Sequence, residues 1–390
     1  MGEQRKPAGR VAYVSGIYPA LTETFVTGEL RELCRLGEDP LVFAVLRGCD
    51  DHAGAPAARY VVELGWGEQL AALIALLVAH PRRTGRALLS PARRFGGSVR
   101  DMAALAPMAR ALRGTRHIHA HFAGQPTDVA GRLSELADVP FSFTAHAHDI
   151  FVEWERMEQK LAAASFAATV CEYNRRFVLD RVPRAADRLE KVICGVDTAE
   201  FTRRRAYDPD GPLVAVGRLV EQKGFEYLVR AAAMARGRIP EVLIAGDGPL
   251  RDHLDGLVRE LDAPVRLMGA LVHAEVRELY DSASAAVLPC VVAADGNRDS
   301  MPVSLKEAMA LELPAVTTTE VGMPELVQPD RGVLVAPRDA EALAEALIDL
   351  HERPVAEREA LGRAGRAFVA EHCDLRTETE RLHRLFALDG

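Results

Sequence analysis

Two carboxylates and two cations stand where this chain could do chemistry. Asp299 and Glu307 lie eight residues apart in DGNRDSMPVSLKEAMA. Pro302 suits the first turn of a helix, where its missing N–H is not needed. Ser300 or Asp299 is then the natural N-cap, and VSLKEAMALEL continues the helix. A carboxylate at a helix mouth suits hydroxyl groups better than a simple anion. Glu307 falls more than a turn further in, on a mostly apolar helix where an unpaired carboxylate is costly. It needs a fixed partner, such as the two vicinal hydroxyls of a ribose. Taken alone, the pattern reads first as a helix cap and a structural glutamate.

Arg218 and Lys223 share one loop, GRLVEQKGF, after the strand-like run LVAV. Two cations at a strand's carboxyl end, near a helix N-terminus, make an anion site: arginine can fork two phosphate oxygens and lysine adds a point charge. The plain alternative is two solvated loop cations. Gly246 and Gly248 in LIAGDGPL permit a close backbone approach to a ligand or a tight strand-to-helix turn. They lack the GxGxxG spacing, and no GxxxxGK[ST] occurs, which argues against a nicotinamide fingerprint and a P-loop.

His117, His119 and His121 alternate along a probable strand, and His146 and His148 lie near the end of the next one. No Asp or Glu completes a metal-ligand spacing, and helices should cover that face. Packing or acceptor contacts are therefore expected, and no metal. Asp208-Pro209-Asp210 has a metal–nucleotide look but precedes a strand in a charged stretch, where a turn is expected.

The elements that must position these groups alternate in type. Strand-like runs fall at Val11–Val14, Leu41–Val45, His117–His119, Phe141–Thr144, Ala168–Val170 and Lys191–Cys194. They recur at Leu213–Val216, Val242–Ala245, Val265–Met268, Ala286–Leu288, Ala315–Thr317 and Val333–Val335. Patterns such as GFEYLVRAAAMARG between them have helical spacing. Strand, helix, strand repeated in this way implies parallel sheets covered on both faces. The seam FTRRRAYDPDGP, rich in charge and turn residues, splits the series in two. Ligands of such sheets bind beyond the carboxyl ends of the strands, so a cleft between two of them is the expected site.

A chain of 390 residues suits two domains. Lys and Arg number 48 against 56 Asp and Glu, a net charge of −8, which excludes a general nucleic-acid binder. Six scattered cysteines (34, 49, 171, 194, 290, 373) without a CxxC suit a reducing cytoplasm. MGEQRKPAGR leads directly into a strand, so no signal peptide is expected. The apolar run LAALIALLVA, Leu70–Ala79, is too short to span a bilayer. It is followed by Arg82, Arg83, Arg86, Arg93 and Arg94. The 70–94 stretch can either pack as a core helix with a solvated basic tail or make peripheral contact with a membrane.

Taken together, GRLVEQKGFEYLVRAA, IAGDGPLRDHL, LPC…DGNRDSMPVSLKEAMALELPAV and VGMPELV resemble, in order and spacing, the retaining nucleotide-sugar glycosyltransferases of family 4. The closest likeness is to the branch that builds exopolysaccharides such as colanic acid. The resemblance covers nearly all of the chain and implies a GT-B fold: α/β, two Rossmann-like doubly wound parallel-sheet domains facing a cleft. It implies an N-terminal acceptor-side domain over 1–200, a linker over 201–211, a donor-binding domain over 212–370 and a C-terminal helix over 371–390 crossing back.

By the same resemblance Arg218 and Lys223 bind the donor diphosphate. Asp299 takes the place of the first Glu of an E-x7-E motif, near the donor sugar and phosphate, with Ser300 and Met301 beside it. Glu307 takes the second, on the ribose hydroxyls, and Gly246 and Gly248 join the donor side. Asp299 is one methylene shorter than the usual Glu, and Ser300 stands where Gly is usual. In the first half SGIYPALTETFVTGELREL resembles the family's opening strand-loop-helix, with Gly16 facing donor phosphate and acceptor and Glu23, Thr24 and Phe25 echoing S-E-T-F. FTAHAHDIF matches T-x-H-G-x-D, which makes His146 the sugar-contacting histidine and puts Asp149 behind it. TVCEYNRRF resembles V-S-E-x-N/R, bringing in Glu172, and His121 joins the acceptor side.

The resemblance implies transfer of a hexosyl group from a UDP- or GDP-sugar to a hydroxyl of a saccharide, lipid-linked or soluble, or of a natural-product aglycone. Configuration is kept, and no cofactor or metal is needed. Glycosidase-type acid/base work needs carboxylates flanking the bond, whereas these two would bind. The rivals are a nucleotide-sugar epimerase or phosphorylase on the same scaffold and a non-catalytic sugar-nucleotide-binding partner subunit.

Overall fold

The computed structural model describes residues 9–20, 23–48, 55–63, 65–89, 95–96 and 98–387. Within them the chain divides into two compact units. The first comprises Met1–Val170, Asn174–Ile193 and Arg376–Gly390; the second comprises Cys171–Tyr173 and Cys194–Leu375. The boundary at Ile193 and Cys194 comes ahead of the charged 201–211 stretch, which lies wholly in the second unit.

The first unit holds a seven-stranded parallel sheet of β1 (Arg10–Tyr18), β2 (Leu41–Arg47), β3 (Ala58–Tyr60), β4 (Thr115–His121), β5 (Phe141–Ala145), β6 (Ala167–Thr169) and β7 (Leu189–Lys191), in the order β3-β2-β1-β4-β5-β6-β7. Such strands must be apolar on both faces, because helices cover both. Ala12 and Val14 join one core with Phe43, Ile118, Ala120 and Phe143. Val11 and Tyr13 join the opposite core with Val42, Phe166, Leu382 and Phe386.

The second unit holds a six-stranded parallel sheet of β8 (Leu213–Val216), β9 (Val242–Ala245), β10 (Val265–Gly269), β11 (Ala285–Leu288), β12 (Ala315–Thr318) and β13 (Gly332–Val335), ordered β10-β9-β8-β11-β12-β13. Each sheet reverses its strand order once, between β1 and β4 and between β8 and β11. At such a reversal the two following loops run to opposite faces and leave a crevice at the strands' carboxyl ends.

The sequence reading located twelve of these strands and missed β3. It ended β1 at Val14, whereas pairing with β2 continues through Ile17 and Tyr18. It placed the seventh strand at Lys191–Cys194, but that strand stops at Lys191. Beyond it the Ile193 amide donates to the Glu378 carboxylate at 2.6 Å, a side-chain acceptor that ends the ladder. Asp208–Asp210 is a turn: the Asp208 carboxylate accepts from the Asp210 amide at 3.1 Å.

Candidate active site

In the second unit the loop after β8 is fastened to the loop after β9. Gly217 N–H donates to Ala245 O (3.0 Å), Leu219 N–H to Asp247 O (2.9 Å) and Leu250 N–H to Leu219 O (3.1 Å). A Cβ at Gly246 would lie 1.9 Å from the Gly217 carbonyl oxygen, and one at Gly248 would lie 2.6 Å from the Leu219 oxygen. These two glycines therefore serve the chain's own loop-to-loop packing. The arrangement leaves the Arg218 side chain exposed, with no ion pair or hydrogen bond of its guanidinium among the described residues.

Lys223 turns the other way. It closes a 3₁₀ turn, Glu221–Lys223, and its Nζ meets Asp299 Oδ2 at 3.0 Å. The buried Cys290 thiol, just past β11, donates to the same oxygen at 3.4 Å. Burial pulls the Lys223 ammonium down, but the Asp299 carboxylate more than offsets it, leaving the pKa raised. Burial, followed by Asp299, pushes the Cys290 thiol well up, so it stays protonated and donates. Asp299 thus holds Lys223 in place at the end of β8, the first strand of the β8–β11 reversal.

This use of Asp299 corrects the expected helix cap. The helix runs Val303–Ala310 with Pro302 at its N-cap and no side-chain cap. The Asp299 carboxylate is engaged by Lys223 and Cys290 instead. Ser300 and Met301 are buried. Close backbone contact at Ser300 is achieved by its neighbour: Gly322 N–H donates to Ser300 O at 3.0 Å, and a Cβ on Gly322 would come within 2.5 Å of that oxygen. On the helix, Lys306 is fully buried and donates to the Cys194 carbonyl. Glu307 is buried, and its carboxylate has no hydrogen-bond partner among the described residues. Desolvation raises its pKa to about 7, with Lys306 opposing and Glu200 adding to the rise. Nearby in this unit, the Glu325 carboxylate accepts from the Glu172 and Tyr173 amides at 2.9 and 2.8 Å.

In the first unit the β1–β4 reversal is filled by rings. His117, His119 and His121 share one face of β4, opposite Ser142 and Thr144 on β5. Ser142 Oγ lies 2.7 Å from His117 and 2.8 Å from His119 Nδ1; Thr144 Oγ1 lies 3.1 Å from His119 Nε2. Phe166 and Phe386 cover the ladder. Burial drives the His117 pKa down to about 3 and that of His119 well below the usual histidine range, so these rings stay neutral and act as packing.

The ladder's upper end is different. Tyr13 OH donates to Glu29 Oε1 (2.6 Å), which also meets His121 Nε2 at 3.1 Å, and His121 Nδ1 lies 3.3 Å from His146 Nε2. The carboxylate accepts from His121 Nε2–H, so His121 Nδ1 is left to accept from His146 Nε2–H. This chain of contacts fixes both tautomers. Phe25 packs against both rings, edge-on to His121 at 5.7 Å and tilted to His146 at 5.1 Å. Below His146, the Asp149 carboxylate accepts from the His146 and Ala123 amides at 2.9 and 2.5 Å, joining the ends of β5 and β4. Its pKa is nonetheless raised, because burial outweighs these bonds. Glu23 and Thr24 open the Thr24–Arg35 helix, and burial raises the Glu23 pKa, with His121 opposing. Gly16 lies near the end of β1, and a Cβ there would meet only Pro126 Cγ, at an ordinary 3.6 Å.

Glu29, His119 and His121 bring three potential metal-ligand atoms within 4.8 Å of one another. Both His119 nitrogens already face hydroxyls, so an ion would have to displace those contacts. Sequence reasoning found no acid for these histidines because Glu29 comes from a different element. The available signal was helical: Phe25 and Glu29 are four residues apart and share a face.

Residues 211–353 match the family model described as Glycosyl transferases group 1. The chain carries a group 1 glycosyl transferase domain. The putative colanic acid biosynthesis glycosyltransferase of Escherichia coli K12 is 28% identical over 367 residues, 85% of this chain and 87% of that protein. The amylovoran biosynthesis glycosyltransferase of Erwinia amylovora is 32% identical over 174 residues, 43% of each. Among solved structures, Anabaena HepE in complex with UDP superposes with a TM-score of 0.72 at 15% identity, covering 97% of this chain and 99% of that one. This glycosyltransferase therefore has the GT-B fold.

Proposed function

We propose that this glycosyltransferase moves a hexosyl group from a nucleotide-sugar, a UDP- or GDP-sugar, to a hydroxyl of a saccharide acceptor, lipid-linked or soluble, with retention of configuration. The observation that carries the reading is Glu307, a buried carboxylate without a partner among the described residues, on the helix that follows the Lys223–Asp299 pair. A desolvated carboxylate of this kind gains from two vicinal hydroxyls what water no longer supplies, and a ribose presents them. HepE, with which the fold is shared, was solved with UDP-glucose.

In this reading the second unit takes the donor. Arg218, exposed and unpaired, accepts the diphosphate. Lys223, held by Asp299, supplies a fixed positive charge beside it. The departing diphosphate gains charge as the glycosidic bond lengthens, and preorganised cations stabilise it there without a metal. The acceptor hydroxyl attacks from the face the diphosphate leaves, and a phosphate oxygen takes its proton. In the first unit, His146, its tautomer set through His121 and Glu29, offers a ring nitrogen to a sugar hydroxyl. Gly16, whose missing side chain nothing among the described residues requires, leaves room for substrate.

The test is a panel of UDP-, GDP- and ADP-sugars scored for thermal stabilisation and donor hydrolysis. One nucleotide-sugar should raise the melting temperature and release its nucleotide slowly without acceptor. If none does either, the donor reading is wrong. Release of a changed free sugar with no dependence on acceptor would identify an epimerase.

A further inference from the structure

The helix Trp66–Ala79 buries one side only, through Ala72 and Leu76. Trp66, Leu70, Ile74 and Val78, spaced every four residues, are 66%, 58%, 52% and 78% exposed. At 100° per residue these four span about a third of the helix circumference. Gly67 falls in the same arc, Ala71 lies just beyond its edge and Glu68 falls outside it. Large apolar side chains scattered singly on a surface need no explanation, but an uncharged stripe along a whole helix face does. Among the described residues, no helix is long and apolar enough to cross a membrane.

The charge around this stripe is as unusual. Between Gln69 and Arg100 the sequence has six arginines (82, 83, 86, 93, 94 and 100) and no Asp or Glu, in a chain of net charge −8. Arg93 and Arg94 lie outside the described residues. On the next helix, Pro81–Leu89, Arg82, Arg86 and Leu89 are exposed and share a face. Neither Arg82 nor Arg86 has an ion pair among the described residues. Beside the first helix a cavity of about 310 Å³ is lined by His80, Arg83, Arg110 and Arg113, with Asp138 the acid in its wall.

We propose that the exposed face of Trp66–Ala79, with Arg82 and Arg86, docks this protein in the plane of an anionic phospholipid surface. The apolar arc enters the boundary between acyl chains and head groups, with the Trp66 indole suited to that depth. The arginines pair with lipid phosphates, and the cavity offers a head group a basic seat. A second copy of the chain fits less well. An isologous contact sets a patch against itself, and this segment brings arginines to arginines with no acid between them. The inference is independent of the donor assignment, because vesicle binding is measured without nucleotide.

The experiment is cosedimentation of the full chain with phosphatidylcholine vesicles, with and without phosphatidylglycerol. Binding is expected only to the anionic vesicles and should weaken as salt rises. The double variants W66S/I74S and R82E/R86E should each lower it about tenfold or more, with unchanged melting temperatures. W66S/I74S tests the apolar arc and R82E/R86E the charge, so a folding failure in one leaves the other decisive. Absence of wild-type binding to anionic vesicles would overturn the proposal. So would a concentration-dependent dimer, seen by sedimentation velocity, that W66S/I74S dissociates, since the face would then belong to a second copy.

Discussion

The two sheet reversals, β8–β11 and β1–β4, occupy equivalent places in the two units and hold titratable groups in opposite ways. Around β8–β11, beside the paired Lys223 and Asp299, two side chains have no partner among the described residues: the Arg218 guanidinium is exposed and unpaired, and the Glu307 carboxylate is buried with no hydrogen bond. At β1–β4 they satisfy one another, Tyr13 with Glu29, Glu29 with His121, His121 with His146. A polar group the fold leaves unsatisfied is a demand for ligand; a satisfied chain is a means of holding one ring in one orientation. The first arrangement should therefore fail by losing binding and rate, and the second by losing orientation.

The largest expected effect is at the donor cations. Arg218→Ala and Lys223→Ala should each cut turnover by about 10²-fold or more, roughly 3 kcal/mol of transition-state stabilisation. They should differ in melting temperature. Arg218→Ala changes it little, whereas Lys223→Ala leaves Asp299 without its counter-ion and lowers it. Adding Asp299→Asn to Lys223→Ala should restore the melting temperature and not the rate. Wild-type turnover in Arg218→Ala would remove the diphosphate assignment.

Glycines sharpen the contrast next. Gly246→Ala forces a Cβ to 1.9 Å from the Gly217 oxygen and should destabilise the second unit by about 2–4 kcal/mol, measured by urea unfolding. Gly16→Ala meets only an ordinary contact, so it should fold normally and lose about tenfold in turnover, the cost of a substrate atom displaced from its productive position. Equal stability losses in both variants would mean that Gly16 also serves packing.

How far the site was legible in the sequence follows the same division. The parallel sheets, the Arg218–Lys223 loop and the order of motifs could be read because each is local: apolar runs, turn residues and spacing lie within short windows. Glu29, Cys290 and the true use of Asp299 could not, because each depends on residues brought together from separate elements. Pro302 after Asp299 looks like a helix start, and only the approach of Lys223 shows why the carboxylate leaves the cap. The third strand was missed because its three residues, Ala58–Tyr60, carry a charged Arg59 in their middle and show no apolar run.

Glu29→Gln tests the first unit's orientation chain. The amide can present a donor to His121 Nε2, which frees the ring to flip tautomer and releases His146. Turnover should fall about tenfold while nucleotide affinity, a property of the second unit, stays unchanged. Glu29→Asp should recover part of the rate if its shorter carboxylate still reaches His121. A parallel loss of nucleotide affinity would show that Glu29 does not act through His146.

The smallest effect is the most diagnostic, because it has a sign in pH. Glu307 has a folded-state pKa of about 7, raised above the ordinary carboxylate value by burial. A raised carboxylate pKa means that the fold disfavours the charged form, so the ligand-free protein should lose stability as pH rises from about 4.5 through 7. Hydroxyl donors favour the same charged form, so nucleotide affinity should increase over the upper part of that range. Glu307→Gln removes both slopes: its melting temperature should exceed that of the wild type at pH 8, and its nucleotide affinity should be several-fold weaker there and flat with pH. Calorimetry across pH 5 to 8 separates the two slopes. If the variant gained stability while its affinity still rose with pH, Glu307 would be a buried carboxylate without a ligand, and the resemblance between the two reversals would be closer than proposed.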